Sequence, residues 1–90
     1  MEKIEIIKSY LDKQKCEYLV VMPSERNPLS NASISIYKGE EAAMICIYYN
    51  NRGVEEDLVE FVHKDVPSNT RLPLGDVLNR LDEFFKVAWL

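Results

Sequence analysis

His63 is the single histidine of the chain, and its side chain could serve as a general base near neutral pH. A zinc site would need further histidines or cysteines at short, regular spacing, and Cys16 and Cys46 stand too far apart to form such a pair. The three glycines are also widely separated, so the sequence has no glycine-rich phosphate loop. We therefore expect no catalytic residue, no metal, no cofactor and no enzyme activity. The alternative left open is an enzyme that uses His63 with a carboxylate.

Four carboxylates form the sharpest charge feature of the sequence, and we call them the acidic segment. They are Glu55, Glu56, Asp57 and Glu60. The chain carries 11 Lys and Arg against 15 Asp and Glu, which gives a net charge of −4. Because contacts with phosphates need clustered Lys and Arg, direct binding to nucleic acid is disfavoured. The acidic segment fits either a solvated face near a positive helix end or a surface that complements a basic protein.

Two arginines in predicted loops are expected to lie beside the acidic segment. Arg26 belongs to a polar loop over residues 23–31, and Arg52 belongs to the connection over residues 50–54. In an antiparallel meander, the connections that follow the first and the third strand lie at the same end of the sheet. We therefore predict a partner-binding surface formed by the acidic segment together with Arg26 and Arg52.

The segment ASISIYKGEEAAMICIYY over residues 32–49 predicts a β-hairpin. Gly39 suits the first central position of a two-residue II′ turn, which requires a positive φ. With Lys38 opposite Glu41, the side chains sort into two faces, and a slip by one residue would mix them. One face is aliphatic and is expected to join the core: Ala32, Ile34, Ile36, Ala43, Ile45 and Ile47. The other face is amphipathic: Tyr37, Met44, Cys46 and Tyr48 among serines.

The amphipathic face of the hairpin is a second candidate binding surface. Its tyrosines and methionine would bury well against another protein or against a second copy of the chain. The C-terminal end, EFFKVAWL, is a further candidate because its apolar side chains cannot all join one helical stripe. The residues of a possible dimer face are Tyr37, Met44, Tyr48, Phe84 and Trp89. The alternative is that a C-terminal helix covers this face.

The elements outside the hairpin follow from periodicity and from turn residues. Residues 2–14 predict a helix with one apolar stripe. Residues 17–22 predict a strand whose continuous apolar run suggests either burial on both faces or protection by a neighbour. Residues 67–72 predict a linker. Pro73 fits the first position of a last helix, which continues to the end of the chain at helical apolar spacing.

Residues 50–66 are compatible with two structures. A helix is indicated by the acidic residues that would fill its first turn, by His63 and Lys64 in its last turn, and by Pro67 after its end. A fourth strand over residues 57–64 is indicated by the β-branched valines. We predict the helix and keep the strand as the alternative.

The predicted fold is therefore a single α+β domain over residues 1–90, with an N-terminal helix, a three-stranded antiparallel meander and two C-terminal helices. This element order resembles that of some small acidic inhibitors made by phages, including certain type II anti-CRISPR proteins. The resemblance covers the layout of the whole chain and no motif. It implies a non-catalytic module that occupies the basic surface of a nucleic-acid-handling partner. The alternative function is a structural homodimer.

The expected surroundings and partners complete these predictions. No run approaches the ~20 apolar residues of a membrane span. The opening MEKIEII lacks the apolar region of a signal peptide, so we expect a cytoplasmic protein with reduced cysteines. A double-stranded-RNA-binding domain also begins with a helix and three strands. However, the final helix of this chain opens with Pro73-Leu74-Gly75-Asp76 instead of basic residues. We expect a protein partner, either basic or a second copy, and a monomer or homodimer.

Overall fold

A computed structural model describes residues 2–22 and 31–88 and shows an α+β fold built on one antiparallel sheet. The elements in chain order are α1 (Lys3–Gln14), β1 (Glu17–Val21), β2 (Ala32–Lys38), β3 (Glu41–Tyr49), β4 (Glu55–Val62), β5 (Arg71–Pro73) and α2 (Leu74–Ala88). The strands lie in the sheet in the order β1-β2-β3-β4-β5, and each pairs antiparallel with its neighbour. The predicted class and the N-terminal helix are confirmed, while the predicted numbers of strands and of C-terminal helices are wrong.

The hairpin of β2 and β3 has the predicted register. Lys38 pairs with Glu41, and the pairing continues to Ala32 opposite Ile47. Gly39 has a φ of 60°, the positive value that the tight turn requires. All six aliphatic side chains of the predicted core face are buried. The alternation of apolar and polar residues was therefore sufficient to define both the pairing and the faces of this hairpin.

Both helices pack on the aliphatic side of the sheet, which we call the covered face. α1 contributes Ile4, Ile7 and Leu11, and α2 contributes Val77, Leu81, Phe84 and Phe85, to one cluster with the buried residues of the strands. The two helices also meet each other. The Tyr10 and Phe85 ring centroids lie 6.1 Å apart, and the Tyr10 hydroxyl donates a hydrogen bond to Asp82. The described residues therefore share one core, which lies between the covered face and the two helices.

The helix predicted within residues 50–66 is wrong, and the strand kept as the alternative is right. β4 spans Glu55–Val62 and pairs with β3 from Met44 opposite Val62 to Tyr49 opposite Glu55, with an irregularity between Ile47 and Tyr49. Acidic residues at the start of the segment favoured a helix because carboxylates stabilise helix N-termini. Glu55 does bind a helix N-terminus, but it is that of α1, whose Lys3 backbone N–H donates to the Glu55 carboxylate.

The predicted linker over residues 67–72 is wrong at its end, because residues 71–73 form the edge strand β5. Leu72 pairs with Val59, and Pro73 pairs with Leu58. Proline cannot donate a hydrogen bond to a neighbouring strand, and it is tolerated in β5 because this strand lies at the edge. α2 then begins at Leu74, one residue later than predicted.

Candidate functional site

The second face of the sheet carries apolar side chains on four strands, and no described element packs on it. We call it the open face. The large apolar side chains that it leaves exposed are Leu19 (58%), Val21 (52%), Tyr37 (47%), Leu58 (43%) and Val62 (39%). Cross-strand pairing aligns Leu19, Ser35, Met44 and Val62 in one row across the sheet. Several large apolar side chains exposed on one face, here interrupted by Ser33 and Ser35, are typical of a binding surface.

This open face includes the predicted amphipathic face of the hairpin. Tyr37, Met44 and Tyr48 lie on it as predicted, and no C-terminal helix of the described chain covers it. β1 extends the surface, since Leu19 and Val21 alternate with the half-buried Tyr18 and Val20. Of the two alternatives for this strand, burial on both faces is therefore wrong.

The open face has a ridge and a hollow. The ridge is formed by Leu19 and Val21 on β1, beside the small side chains of Ser35 and Ser33 on β2. The hollow, of about 360 Å³, is lined by Ser35, Tyr37, Ala42, Ala43, Met44, Val62, His63 and Lys64. A protruding apolar element and an apolar depression therefore lie on the same surface, separated by a row of serines.

A polar cluster lies on the same open face, on β3, β4 and β5, at the end of the sheet away from the ridge on β1. The Tyr48 hydroxyl donates a hydrogen bond of 2.6 Å to a carboxylate oxygen of Glu60, which is 9% exposed. The Arg71 guanidinium carbon lies 4.3 Å from the centroid of the Tyr48 ring, within the range of a cation–π contact. The hydrogen bond to Glu60, with a smaller effect of burial, raises the pKa of Tyr48 to about 12. These contacts hold Tyr48 in a fixed position.

Cys46 lies on the open face next to this cluster, opposite Glu60. It is 5% exposed and forms no disulfide with Cys16. Burial, together with the negative charge of Glu60, raises the pKa of the Cys46 thiol. Burial also raises the pKa of Cys16, so neither thiol is activated as a nucleophile.

Three of the four carboxylates in the acidic segment have partners within the chain. Glu55 accepts hydrogen bonds from the Lys3 backbone N–H at 3.2 and 3.1 Å. Glu56 lies 3.6 Å from an Arg71 guanidinium nitrogen, and Glu60 accepts from Tyr48. Asp57, in contrast, is exposed on β4. Each of these three carboxylates therefore makes a contact within the fold, and little unpaired negative charge remains for a basic protein.

The polar rim predicted beside the acidic segment is described only in part. Arg52 is exposed in the turn between β3 and β4, which Asn50 holds by accepting the backbone N–H groups of Arg52 and Val54 at 2.8 and 3.0 Å. Arg26 lies outside the described residues. Of the two candidates at the C-terminal end, Phe84 is 7% exposed within the core and Trp89 lies outside the described residues.

His63 lies just after β4, at the wall of a cleft of about 300 Å³ that α2 closes with Phe84 and Arg80. The His63 ring contacts the Phe84 ring edge-on at 5.5 Å between centroids. Its Nδ1 accepts the Asp65 backbone N–H at 3.4 Å, and its Nε2 lies 3.6 Å from a Glu41 carboxylate oxygen. Glu41 is bound more closely by Lys64, at 2.9 Å, and this hydrogen bond lowers the pKa of Glu41. A histidine–carboxylate pair is present, but the described residues of the cleft wall include no Ser, Thr or Cys that the pair could activate.

The described residues contain no group of three or more His, Cys, Asp or Glu that could hold a metal ion. Neither of the two described helices is long and apolar enough to cross a membrane.

Comparison of the chain with protein-family models, with curated proteins and with solved structures gave no match in any of the three. The layout that resembles phage inhibitors, with three strands and two C-terminal helices, also differs from the observed order of five strands and one C-terminal helix. The argument for function therefore rests on the side chains of the open face.

Leu19, Val21, Leu58 and Val62 complete the open face and were not among the predicted site residues. Because residues 19–22 are all apolar, the sequence did not distinguish the exposed Leu19 and Val21 from the half-buried Val20. What the sequence lacked was a sign that β1 lies at the edge of the sheet and that both helices pack on the other face.

Proposed function

We propose that this protein is a non-catalytic protein-binding module and that the open face is its binding surface. The observation that carries the proposal is the set of five large apolar side chains that stay exposed on one side of the sheet, with no described element packed against them. Charged residues are depleted at the centres of protein interfaces and Met is enriched there, and the row from Leu19 to Val62 has no charged residue and contains Met44.

The acidic segment supports a basic partner less well. A surface that attracts a basic groove needs free carboxylates, whereas Glu55, Glu56 and Glu60 are engaged by Lys3, Arg71 and Tyr48. The hypothesis of an inhibitor that occupies a basic groove depends on this segment. We therefore place the binding surface on the open face.

Site-specific photo-crosslinking in the native cell tests this proposal. A photoreactive benzoylphenylalanine replaces Tyr37 in the centre of the open face, Asp57 in the acidic segment, or Ser9 on the exposed side of α1 as a control. We expect protein adducts from position 37 and background levels from position 9. Adducts from position 57 without adducts from position 37 would place the binding surface on the acidic segment and overturn the proposal.

A further inference from the structure

The ridge and the hollow of the open face are complementary in shape. A two-fold symmetric interface uses the same patch on both copies, so the patch must contain both a protrusion and a depression that fits it. Leu19 on β1 and the hollow around Met44 on β3 lie in the same cross-strand row. They are separated by about two strand spacings, or roughly 10 Å. A two-fold axis that runs along β2, between two facing sheets, would place the ridge of each copy over the hollow of the other.

We propose that the partner of the open face is a second copy of this chain, packed sheet against sheet with the ridge of each copy in the hollow of the other. This inference rests on the proposed function, since it names the occupant of the same surface. Sheets that pack face to face keep their strands within about 30° of each other, a geometry that an axis along β2 allows.

The distribution of charge allows a second copy to pack at the centre of the open face. The chain has a net charge of −4, so two copies repel each other over most of their surfaces. The row of Leu19, Ser35, Met44 and Val62 is uncharged along its whole length. Lys64, which also lines the hollow, is neutralised by Glu41 at 2.9 Å. The centre of the open face is therefore a place where two copies can meet without opposing like charges.

The size of the open face also suits a dimer. Five strands about 4.8 Å apart, with about six residues each, have a flat footprint of roughly 450 Å². The side chains that stand up from this footprint raise the accessible area toward the ~800 Å² per partner of stable complexes. The open face is therefore comparable in size with the smaller specific interfaces.

The first test is the molar mass of the full chain, measured by light scattering coupled to size exclusion at low and at high salt. The monomer has a mass of 10.5 kDa, so we expect a species of twice this mass. We also expect its population to be undiminished at high salt, because apolar contacts are not screened. A dimer that dissociates at high salt would mean that charged groups hold it, which would overturn the inference.

Substitution of the ridge tests the predicted geometry. The variant Leu19→Lys/Val21→Lys places charges in the hollow of the partner and should raise the dissociation constant of the dimer by about a hundredfold. The control Ser9→Lys/Asn79→Lys adds the same charge at exposed helix positions and should leave the constant unchanged. Circular dichroism confirms that each variant is folded.

Filling the hollow gives a second variant that adds no charge. Ala42 is exposed in the hollow opposite Tyr37, so Ala42→Tyr should occupy the space that the ridge of the partner needs. We expect this variant to be a monomer with an undiminished melting temperature, since tyrosine is favoured in strands. A dimer that persists in both Leu19→Lys/Val21→Lys and Ala42→Tyr would use another surface and would overturn the inference.

The outcomes separate this inference from the proposed function. A wild-type chain that stays monomeric up to about 1 mM, a concentration that corresponds to negligible affinity, overturns the second copy as partner. If position 37 still gives adducts with a different protein in the cell, the proposed function stands alone. If position 37 gives no adducts, both are overturned.

Discussion

The two faces of the sheet are built from the same strands but differ in how much of their side chains is exposed to solvent. On the covered face, Ile34, Ile45 and Val59 are completely buried under the helices. On the open face, their neighbours Ser35, Met44 and Leu58 are partly or largely exposed. An antiparallel sheet with one wet face normally shows polar residues there. The open face instead carries apolar residues, which is the basis for proposing it as a binding surface, and the predictions below test this difference between the faces.

Truncation of one valine on each face of β4 should produce the largest difference. Val59 is fully buried and Val62 is 39% exposed, so the same change can be made on both faces of one strand. Val59→Ala should lower the free energy of unfolding by about 2–3 kcal/mol, from lost burial and from the cavity. Val62→Ala should cost less than about 1 kcal/mol in dilute solution. Urea denaturation measures both values. Equal losses in dilute solution would mean that something in the monomer covers the open face.

The comparison of the valines becomes sharper at high protein concentration. If the open face binds a second copy, the loss caused by Val62→Ala should increase with concentration, because association stabilises the folded state. The loss caused by Val59→Ala should not change.

The hydrogen bond between Tyr48 and Glu60 should make the next largest contribution. Tyr48→Phe removes the hydroxyl that donates to a carboxylate only 9% exposed, and should cost about 1–2 kcal/mol. The pKa of Tyr48 is raised from 10.0 to about 12, so the folded state holds the phenolic proton more tightly than the unfolded state. This contribution is fully present below pH 10 and is lost as the pH rises through about 12.

Denaturation at increasing pH measures this loss. Wild-type stability should fall more steeply than that of Tyr48→Phe over the same interval. Parallel curves for the two proteins would mean that the hydrogen bond makes no net contribution.

The bond between β4 and the start of α1 should have a smaller effect. Glu55→Gln removes the negative charge that faces the positive end of α1 and should cost about 1 kcal/mol. Asp57→Asn is a matched control, because it removes the same charge from an exposed position on the same strand, and should change stability by less than about 0.5 kcal/mol. Thermal denaturation compares the two variants. A larger effect of Asp57→Asn would mean that Asp57, and not Glu55, stabilises the fold.

The smallest effect concerns Glu41, at the border between the two faces. Lys64→Met should raise the pKa of Glu41, since the hydrogen bond from Lys64 is the main cause of its lowered value. A lowered carboxylate pKa stabilises the fold above the unfolded value of 4.5, and this stability is lost as the pH falls through the folded value. Carbon-detected NMR titration of Glu41 in both proteins measures the change. An unaltered titration midpoint would show that Lys64 does not bind Glu41 in solution.

The local pattern of the sequence predicted the hairpin well and the ends of the sheet poorly. The alternation of apolar and polar residues between Ala32 and Tyr49 allowed only one register that keeps the aliphatic side chains on one face. It therefore determined both the strand pairing and the hairpin's contribution to the core. The segment after Asn50 contained two conflicting patterns, a helical order of charges and an alternation of Val59 and Phe61. The conflict arose because Glu55 accepts a hydrogen bond from the N-terminus of a helix that lies more than fifty residues away in the sequence.

The candidate site was predicted in part for a similar reason. Tyr37, Met44 and Tyr48 were identified from the hairpin alone, because the register placed them together. Leu19 and Val62 joined the site only through the pairing of β1 with β2 and of β3 with β4. Strand order is a property of the whole fold, and no local pattern in the chain specified it.

The two edges of the sheet differ, and this difference limits how the protein can assemble. β5 has three residues and ends in Pro73, so it offers little backbone for another strand to extend. β1, at the other edge, has five residues and no proline. A sheet that can be extended at both edges can polymerise without limit. A sheet with one blocked edge can add only one neighbour, at its free edge. The short β5 strand with Pro73 therefore limits edge-to-edge pairing of sheets to the β1 edge, which can join two copies but cannot build a fibril.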